Sequence, residues 1–323
     1  MNKEASIQEI NKLAKAGIPF LLITDFKGTQ NHVLTLDQID PENILYDING
    51  VRNFDDTKIR SRPIRLKKEV IAPEIYQSKF NRIHKEIAAG NTYLLNLTQP
   101  TNIESSSTLK EIFYQSKAKY KLYFQNQFVV FSPEIFIKIE NRKMSSYPMK
   151  GTIDADLDRA EEKLLSSAKE MAEHATIVDL IRNDMSQYAS NVKVEKFRYI
   201  EEIKTNEKHL LQASSKIIGD LPADFKQRLG EMIYSLLPAG SISGAPKQKT
   251  LEIIESVEGY DRGYYTGIVG YFDGENFDSG VLIRYIENKN EQLTYKSGGG
   301  IHFLSDWGSE YQEMIDKVYV PVH

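Results

Sequence analysis

The sequence contains no cysteine among its 323 residues. Disulfides, thiolate zinc sites, iron–sulfur clusters and cysteine nucleophiles are therefore excluded, and the absence fits a reducing compartment. Histidine is sparse: His32, His84, His174, His209, His302 and His323 include no HExxH and no other close pair, so a histidine-based metal site is not indicated. Long apolar runs are missing as well. Stretches such as Phe20-Leu21-Leu22-Ile23 are far too short to span a bilayer. The opening MNKEASIQEINK has no apolar core and does not read as a signal peptide. Charge of one sign is not in excess: 41 basic and 45 acidic residues leave a net charge of −4. That argues against a broad electrostatic footprint for nucleic acid. A soluble, cytoplasmic protein is expected.

What is present is an ordinary globular composition, 41% hydrophobic and 27% charged. Helical periodicity or capping marks residues 5–16, 73–89, 157–186, 225–236, 247–257 and 308–320. Strand-type residues mark 19–25, 32–36, 92–97, 120–124, 128–131, 135–139, 143–147, 192–200, 267–273, 278–287 and 292–296. Residues 37–72 read as irregular and rich in charge. Strands and helices come in blocks instead of alternating strictly, which favours an α+β fold with antiparallel sheet. No linker divides the chain. We read residues 1–75 as an N-terminal subregion of the same domain, and 76–323 as the catalytic region.

Two helices carry paired carboxylates. Glu170 and Glu173 are spaced i, i+3 in an apolar segment that reads as buried. Burying two carboxylates demands cations: arginine, lysine or a metal. Glu310 and Glu313 repeat the spacing, with Lys317 four residues after Glu313. The plain alternative is a solvated face with one Glu–Lys pair. The functional reading is that the two helices face each other and hold one hard cation. With oxygen ligands only, Mg²⁺ is the natural candidate.

Other segments are ambiguous alone. Gly298-Gly299-Gly300 suits either a glycine turn between strands or a close backbone approach to a ligand. Gly240 to Lys247 lacks the Gly-Lys-Ser/Thr ending of a phosphate loop, and Pro246 reads as a helix start. Lys150 lies between Pro148 and Gly151 in what reads as a loop. It is either a solvated charge or, beside a buried cation, a neutral amine able to act as a nucleophile. Arg284 sits within an apolar strand and needs an anionic partner, either a core carboxylate or a ligand.

Taken together these segments resemble the chorismate-utilising enzymes. The matching stretches are IAAGNTYLLNLTQ (87–99), FSPEIF (131–136), YPMKGT (147–152), KEMAEHATIVDLIRND (169–184), AGSISGAPK (239–247), RGYYTGIVGYF (262–272), LIRY (282–285) and SGGGI (297–301), followed by SEYQEMIDK up to Lys317. The resemblance implies two packed antiparallel sheets with helices outside. Within the family, lysine in a P-[IM]-K-G-T pattern is similar to the aminodeoxychorismate synthase component I branch. Anthranilate synthases usually carry alanine there. The isochorismate and salicylate enzymes use a lysine base where this chain has Leu94. A histidine of the anthranilate enzymes matches Gln212, whose role is left open.

Carried over residue by residue, the resemblance implies that Glu173 and Glu313 bind Mg²⁺, with Glu170 and Glu310 supporting them. Arg284 and Tyr265 would hold the enolpyruvyl carboxylate of chorismate, with backbone N–H groups near Gly298 and Gly300. Gly151, Thr152 and Lys317 would line the substrate. Lys150 would attack C2, Glu134 would protonate the departing C4 hydroxyl, and ammonia would displace Lys150, giving 4-amino-4-deoxychorismate on the way to 4-aminobenzoate and folate. A separate glutamine amidotransferase subunit would supply the ammonia. Anthranilate synthase component I and a non-catalytic chorismate-binding subunit are the alternative readings.

Overall fold

Two nine-stranded antiparallel sheets pack face to face, and helices cover both outer faces. The architecture comes from a computed structural model that describes residues 1–55, 63–204 and 209–322. His323 lies outside the described residues.

In chain order the elements are α1 (Lys3–Ala16), β1 (Phe20–Thr24), β2 (Asn31–Thr35), β3 (Ile44–Ile48), β4 (Val51–Arg52) and β5 (Leu66–Glu69). Next come α2 (Pro73–Ala88), β6 (Leu94–Ser105), α3 (Leu109–Gln115), β7 (Tyr120–Phe124), β8 (Phe128–Ser132), β9 (Ile135–Glu140), β10 (Lys143–Ser146) and β11 (Met149–Asp154). They are followed by α4 (Ala160–Ser166), α5 (Ala168–Ser186), β12 (Ser190–Lys204), β13 (His209–Asp220), α6 (Leu229–Leu236), β14 (Gly244–Ala245) and α7 (Lys247–Glu258). The chain ends with β15 (Ile268–Phe272), β16 (Phe277–Val281), β17 (Tyr285–Lys289), β18 (Gln292–His302) and α8 (Trp307–Asp316).

The first sheet runs β11-β13-β10-β9-β16-β15-β1-β2, with β12 also on β13. The second runs β14-β6-β18-β17-β8-β7-β3-β4, with β5 also on β6. Period-two alternation builds the layers. Phe20 and Leu22 of β1 pack with Ile10 and Leu13 of α1, while Leu21 and Ile23 face Tyr120, Phe128 and Tyr285 of the second sheet. On the far side, Leu95, Leu97 and Ile301 pack with Tyr76, Ile253 and Met314 of α2, α7 and α8. The two helices with acidic pairs are capped by side chains. Ser167 Oγ accepts from the Glu170 N–H at 3.3 Å, and Asp306 Oδ1 from the Ser309 N–H at 2.9 Å.

Several expectations change. The strand read at 278–287 is two strands in different sheets. The chain crosses between them at Leu282 to Arg284, and Arg284 has a φ of 54°. Continuous apolarity hid the break, because both halves are buried. The triple glycine is not a turn. It lies inside β18, where Gly298, Gly299 and Gly300 pair with Thr98, Leu97 and Asn96. Residues 37–72 contain β3, β4 and β5, which are short and partly charged. The 157–186 block is two helices broken at Ser167, and β13 went unread because small polar residues interrupt its alternation. Helix α5 is not buried all round: Met171, Ala172, Ala175, Asp179 and Arg182 are exposed, because only one face meets the sheet.

One buried ion pair joins the pieces. The Arg262 side chain is 2% exposed and donates to both Glu258 oxygens at 2.9 and 2.7 Å, to the Ile242 carbonyl at 2.9 Å and to the Asn96 carbonyl at 2.7 Å. Glu258 Oε1 also accepts from the N–H and Oγ1 of Thr98 at 2.7 Å. The pair thus ties the end of α7 to β6 and to the loop before β14. Arg262→Met leaves Glu258 buried and uncompensated. We expect a loss of about 3–5 kcal/mol in urea unfolding; a loss below about 1 kcal/mol would show that the network is dispensable.

Candidate active site

The site begins at a fault in β11. Met149 pairs with Ser214 and Thr152 with Gln212, and the register shifts between them. Such a bulge re-aims the residues within it. Lys150 is therefore a strand residue, not a loop lysine. Gly151 has a φ of 82°, and a Cβ there would lie 2.8 Å from Glu170 Oε2. Lys150 Nζ lies 2.8 Å from Glu173 Oε1. Burial acts to lower the Lys150 pKa, but the Glu173 carboxylate, with Glu134 and Glu313 behind it, outweighs burial and the net shift is upward. The surrounding carboxylates thus favour the charged form of Lys150, whereas the neutral amine was expected beside a buried cation.

The acidic pairs approach β18 from opposite faces. A Cβ on Gly300 would overlap Glu173 Oε1 of α5, whereas one on Gly299 would meet Glu310 Oε2 at 3.3 Å and Glu313 Oε1 at 3.5 Å on α8. The pairs meet where the strand has no side chains. Lys169 of α5 reaches Glu310 Oε1 at 2.7 Å, and Lys317 holds Glu313 Oε1 at 2.6 Å and the Gly298 carbonyl at 2.8 Å. Glu310 is 2% exposed, so the solvated-face reading fails for it. Burial, then repulsion from Glu173, raises the Glu170 pKa; burial also raises that of Glu310, with Glu313 adding to it. Partial burial pushes Glu313 the same way, but Lys317 prevails and its pKa is lowered.

These four carboxylates offer only hard oxygen donors around a strand edge that any side chain would fill, and they fit a hard cation such as Mg²⁺. As the side chains stand, no three acidic or histidine groups among the described residues converge on one point, because lysine amines occupy the gaps.

Opposite the carboxylates stand Glu134, Arg284 and Tyr265. Burial raises the Glu134 pKa, against a hydrogen bond from Ser241 Oγ and the charges of Lys150, Lys317 and Arg284. Arg284 stacks on the Tyr319 ring at 5.2 Å and has no carboxylate partner among the described residues. Its crossing position, just before the Tyr285–Lys296 pair, places it beside the middle of β18, where the pairing with β17 stops. The edge from Ser297 to His302 is open there. Tyr265 is buried near Arg284. Thr152 is exposed, in register with Gln212.

Sequence reasoning missed Lys169, Ser241, Ser305 and His302. Ser305 Oγ donates to Glu310 Oε1 at 2.8 Å. Only Lys169, adjacent to Glu170, carried a local signal. The other three depend on distant partners. Asp184 and Lys247, which both lie in the matched stretches, pair with each other at 2.7 Å and are structural.

Residues 27–323 match the family described as chorismate binding enzyme. An uncharacterized PabA-like protein of Pasteurella multocida is 47% identical over 323 residues, covering 100% of both chains. Aminodeoxychorismate synthase component 1 of Escherichia coli is 33% identical over 261 residues, which are 76% of this chain and 56% of that one. The crystal structure of anthranilate synthase component I from Streptococcus pneumoniae superposes with a TM-score of 0.66 at 28% identity, over 81% of this chain and 60% of the other. The chain belongs to the family of chorismate binding enzymes.

Proposed function

We propose that this chain is an aminodeoxychorismate synthase component I, replacing the C4 hydroxyl of chorismate with an amino group. The observation that carries the reading is the placement of Lys150: its amine lies 2.8 Å from Glu173, with Glu134 and Glu313 close enough to act on its charge. Arg284, free of any protein carboxylate among the described residues, suits the carboxylate of the enolpyruvyl arm, with Tyr265 beside it. Mg²⁺ would be held by Glu173 and Glu313, with Glu170 and Glu310 in support, and when bound would supply positive charge to the ring carboxylate.

Lys150 must first give up its proton, so Glu173 has to turn from it. The amine then attacks C2, the ring double bonds shift, and the C4–O bond breaks. Glu134 gives its proton to the departing oxygen, which leaves as water. Ammonia adds at C4, the double bonds shift back, and the C2–N bond to Lys150 breaks. Lys150 leaves as the neutral amine and the new C4 ammonium returns one proton to Glu134, so the net change is ammonia in and water out. The covalent step divides one hard substitution into two easier ones. Ammonia would come from a separate glutamine amidotransferase subunit, since a cysteine-free chain lacks the nucleophile of such glutaminases.

Mass spectrometry of the pure chain with chorismate, Mg²⁺ and ammonium should show OH replaced by NH₂ without release of pyruvate. Anthranilate with pyruvate would instead assign it to anthranilate synthesis. Lys150→Ala should lower product formation by about a thousandfold or more with the circular dichroism spectrum retained, and should lower the thermal midpoint because Glu173 loses its buried partner.

Two glycine variants separate site from fold. Gly300→Ala meets the flexible end of Glu173, so we expect retained stability and a loss of about 10- to 100-fold in Mg²⁺ affinity. Gly298→Ala meets the Leu97 carbonyl and, at 2.8 Å, Thr98 Cα. That backbone clash should cost roughly 1–3 kcal/mol of stability. Calorimetric metal titration and urea unfolding read the two effects; equal behaviour of the variants would refute the distinction.

The pH profile tests Glu134. A proton donor must be protonated, and burial raises this carboxyl, so kcat/KM should fall as pH rises through a value above the usual carboxylate range. The Ser241 bond works against that rise, so Ser241→Ala should move the fall to higher pH. An unmoved profile would remove Ser241 from this role.

A further inference from the structure

His302 ends β18 with a donor that no group among the described residues accepts. It is two residues beyond Gly300, so in a strand their side-chain directions share a face. That face is the one on which a Gly300 Cβ would overlap Glu173. The imidazole is 6% exposed. Its Nδ1 accepts from the Leu304 N–H at 3.1 Å, so in the neutral ring the proton sits on Nε2. Burial lowers the His302 pKa, Glu173 opposes this, and Lys169 and Lys150 add to it, which keeps the ring neutral. The Nε2–H is buried and has no hydrogen-bond partner among the described residues.

A buried donor without an acceptor is unfavourable, and native structures keep few of them. The ring is also held in place. The His302 N–H donates to Ser305 Oγ at 3.2 Å, the Ser305 N–H donates to the His302 carbonyl at 3.0 Å, and Ser305 Oγ donates onward to Glu310. The nearby protein carboxylates are engaged: Glu173 by Lys150, Glu310 by Lys169 and Ser305, and Glu313 by Lys317. Among the described residues no acceptor meets Nε2, and a bound ligand can supply one. The lysines around the site make an anionic oxygen the fitting one. Arg284 precedes Tyr285, which pairs with Lys296, whereas His302 closes β18, so the two stand at opposite ends of the segment from Ser297 to His302.

We infer that His302 is a substrate-binding residue whose Nε2–H donates to the ring carboxylate of the bound cyclohexadiene dicarboxylate, while Arg284 takes the other carboxylate. This rests on the reading of the site as a chorismate site. It adds a donor for the ring carboxylate, fixed by the same strand that supplies the glycines.

The test is calorimetric binding of chorismate, with Mg²⁺ and without ammonia, to wild type, His302→Leu and His302→Gln. We expect His302→Leu to weaken binding about 10- to 100-fold. His302→Gln, whose amide reaches a similar position, should stay within about threefold of wild type. In wild type, the Nε2 proton in long-range ¹H–¹⁵N spectra should move downfield when chorismate is added, a readout that needs no variant to fold. Mn²⁺ binding without chorismate should be the same in His302→Leu as in wild type. Chorismate binding unchanged in His302→Leu, or an Nε2 proton that does not move, overturns the inference and leaves the chorismate site standing. Weakened Mn²⁺ binding with unchanged chorismate affinity overturns it too, assigning the donor to the metal's water shell. A wild-type chain that binds no chorismate overturns the functional reading and this inference together.

Discussion

Four carboxylates crowded around one strand edge repel one another, and the rest of the site is arranged to keep them there. Lys150, Lys169 and Lys317 each neutralise one of them. The acidic pairs lie in the first two turns of α5 and α8, where the positive ends of the helix dipoles favour negative charge. The strand between them contributes Gly299 and Gly300, so the carboxylates approach backbone instead of side chains. Take away any of these and the cluster either protonates or spreads.

That arrangement gives the lysines two uses. Lys150 neutralises Glu173 as the chain stands, yet the proposed chemistry needs it as an amine. The ion pair therefore holds the nucleophile in reserve until Glu173 is engaged elsewhere. Glu134 is the opposite case, a carboxyl that burial keeps nearer its protonated form. Two groups of opposite charge type are thus held ready for proton transfer by different causes, one by a neighbour and the other by desolvation.

The crossing between sheets does the positioning. Because the chain leaves the first sheet at Val281 and enters the second at Tyr285, Arg284 falls at the seam, beside the middle of β18. The loop bearing Ser241 is tied to β6 through the Arg262–Glu258 pair and the Asn96–Ser243 backbone bond of 2.9 Å. Ser241, which bonds Glu134, and the strand β6 that pairs with the glycines are thereby braced by one buried network. Stability and geometry of the site are coupled through it.

Much of this was legible from local patterns. The i, i+3 spacing of Glu170 with Glu173 and of Glu310 with Glu313, the i, i+4 position of Lys317 and the α+β class all follow from periodicity, since helix geometry decides which residues share a face. The family resemblance rested on side-chain types in a fixed order, and the chain does belong to that family. The sequence could not tell that the triple glycine runs inside a strand, that 278–287 spans two sheets, or that Lys150 pairs with Glu173. Nor could it single out His302 among six histidines. Those outcomes depend on which distant groups come into contact: a bulge register, an open strand edge, a carboxylate at 2.8 Å. Local sequence determines what each segment is able to do, while protonation state and ligand-facing direction are set by neighbours that only the packed sheets bring together.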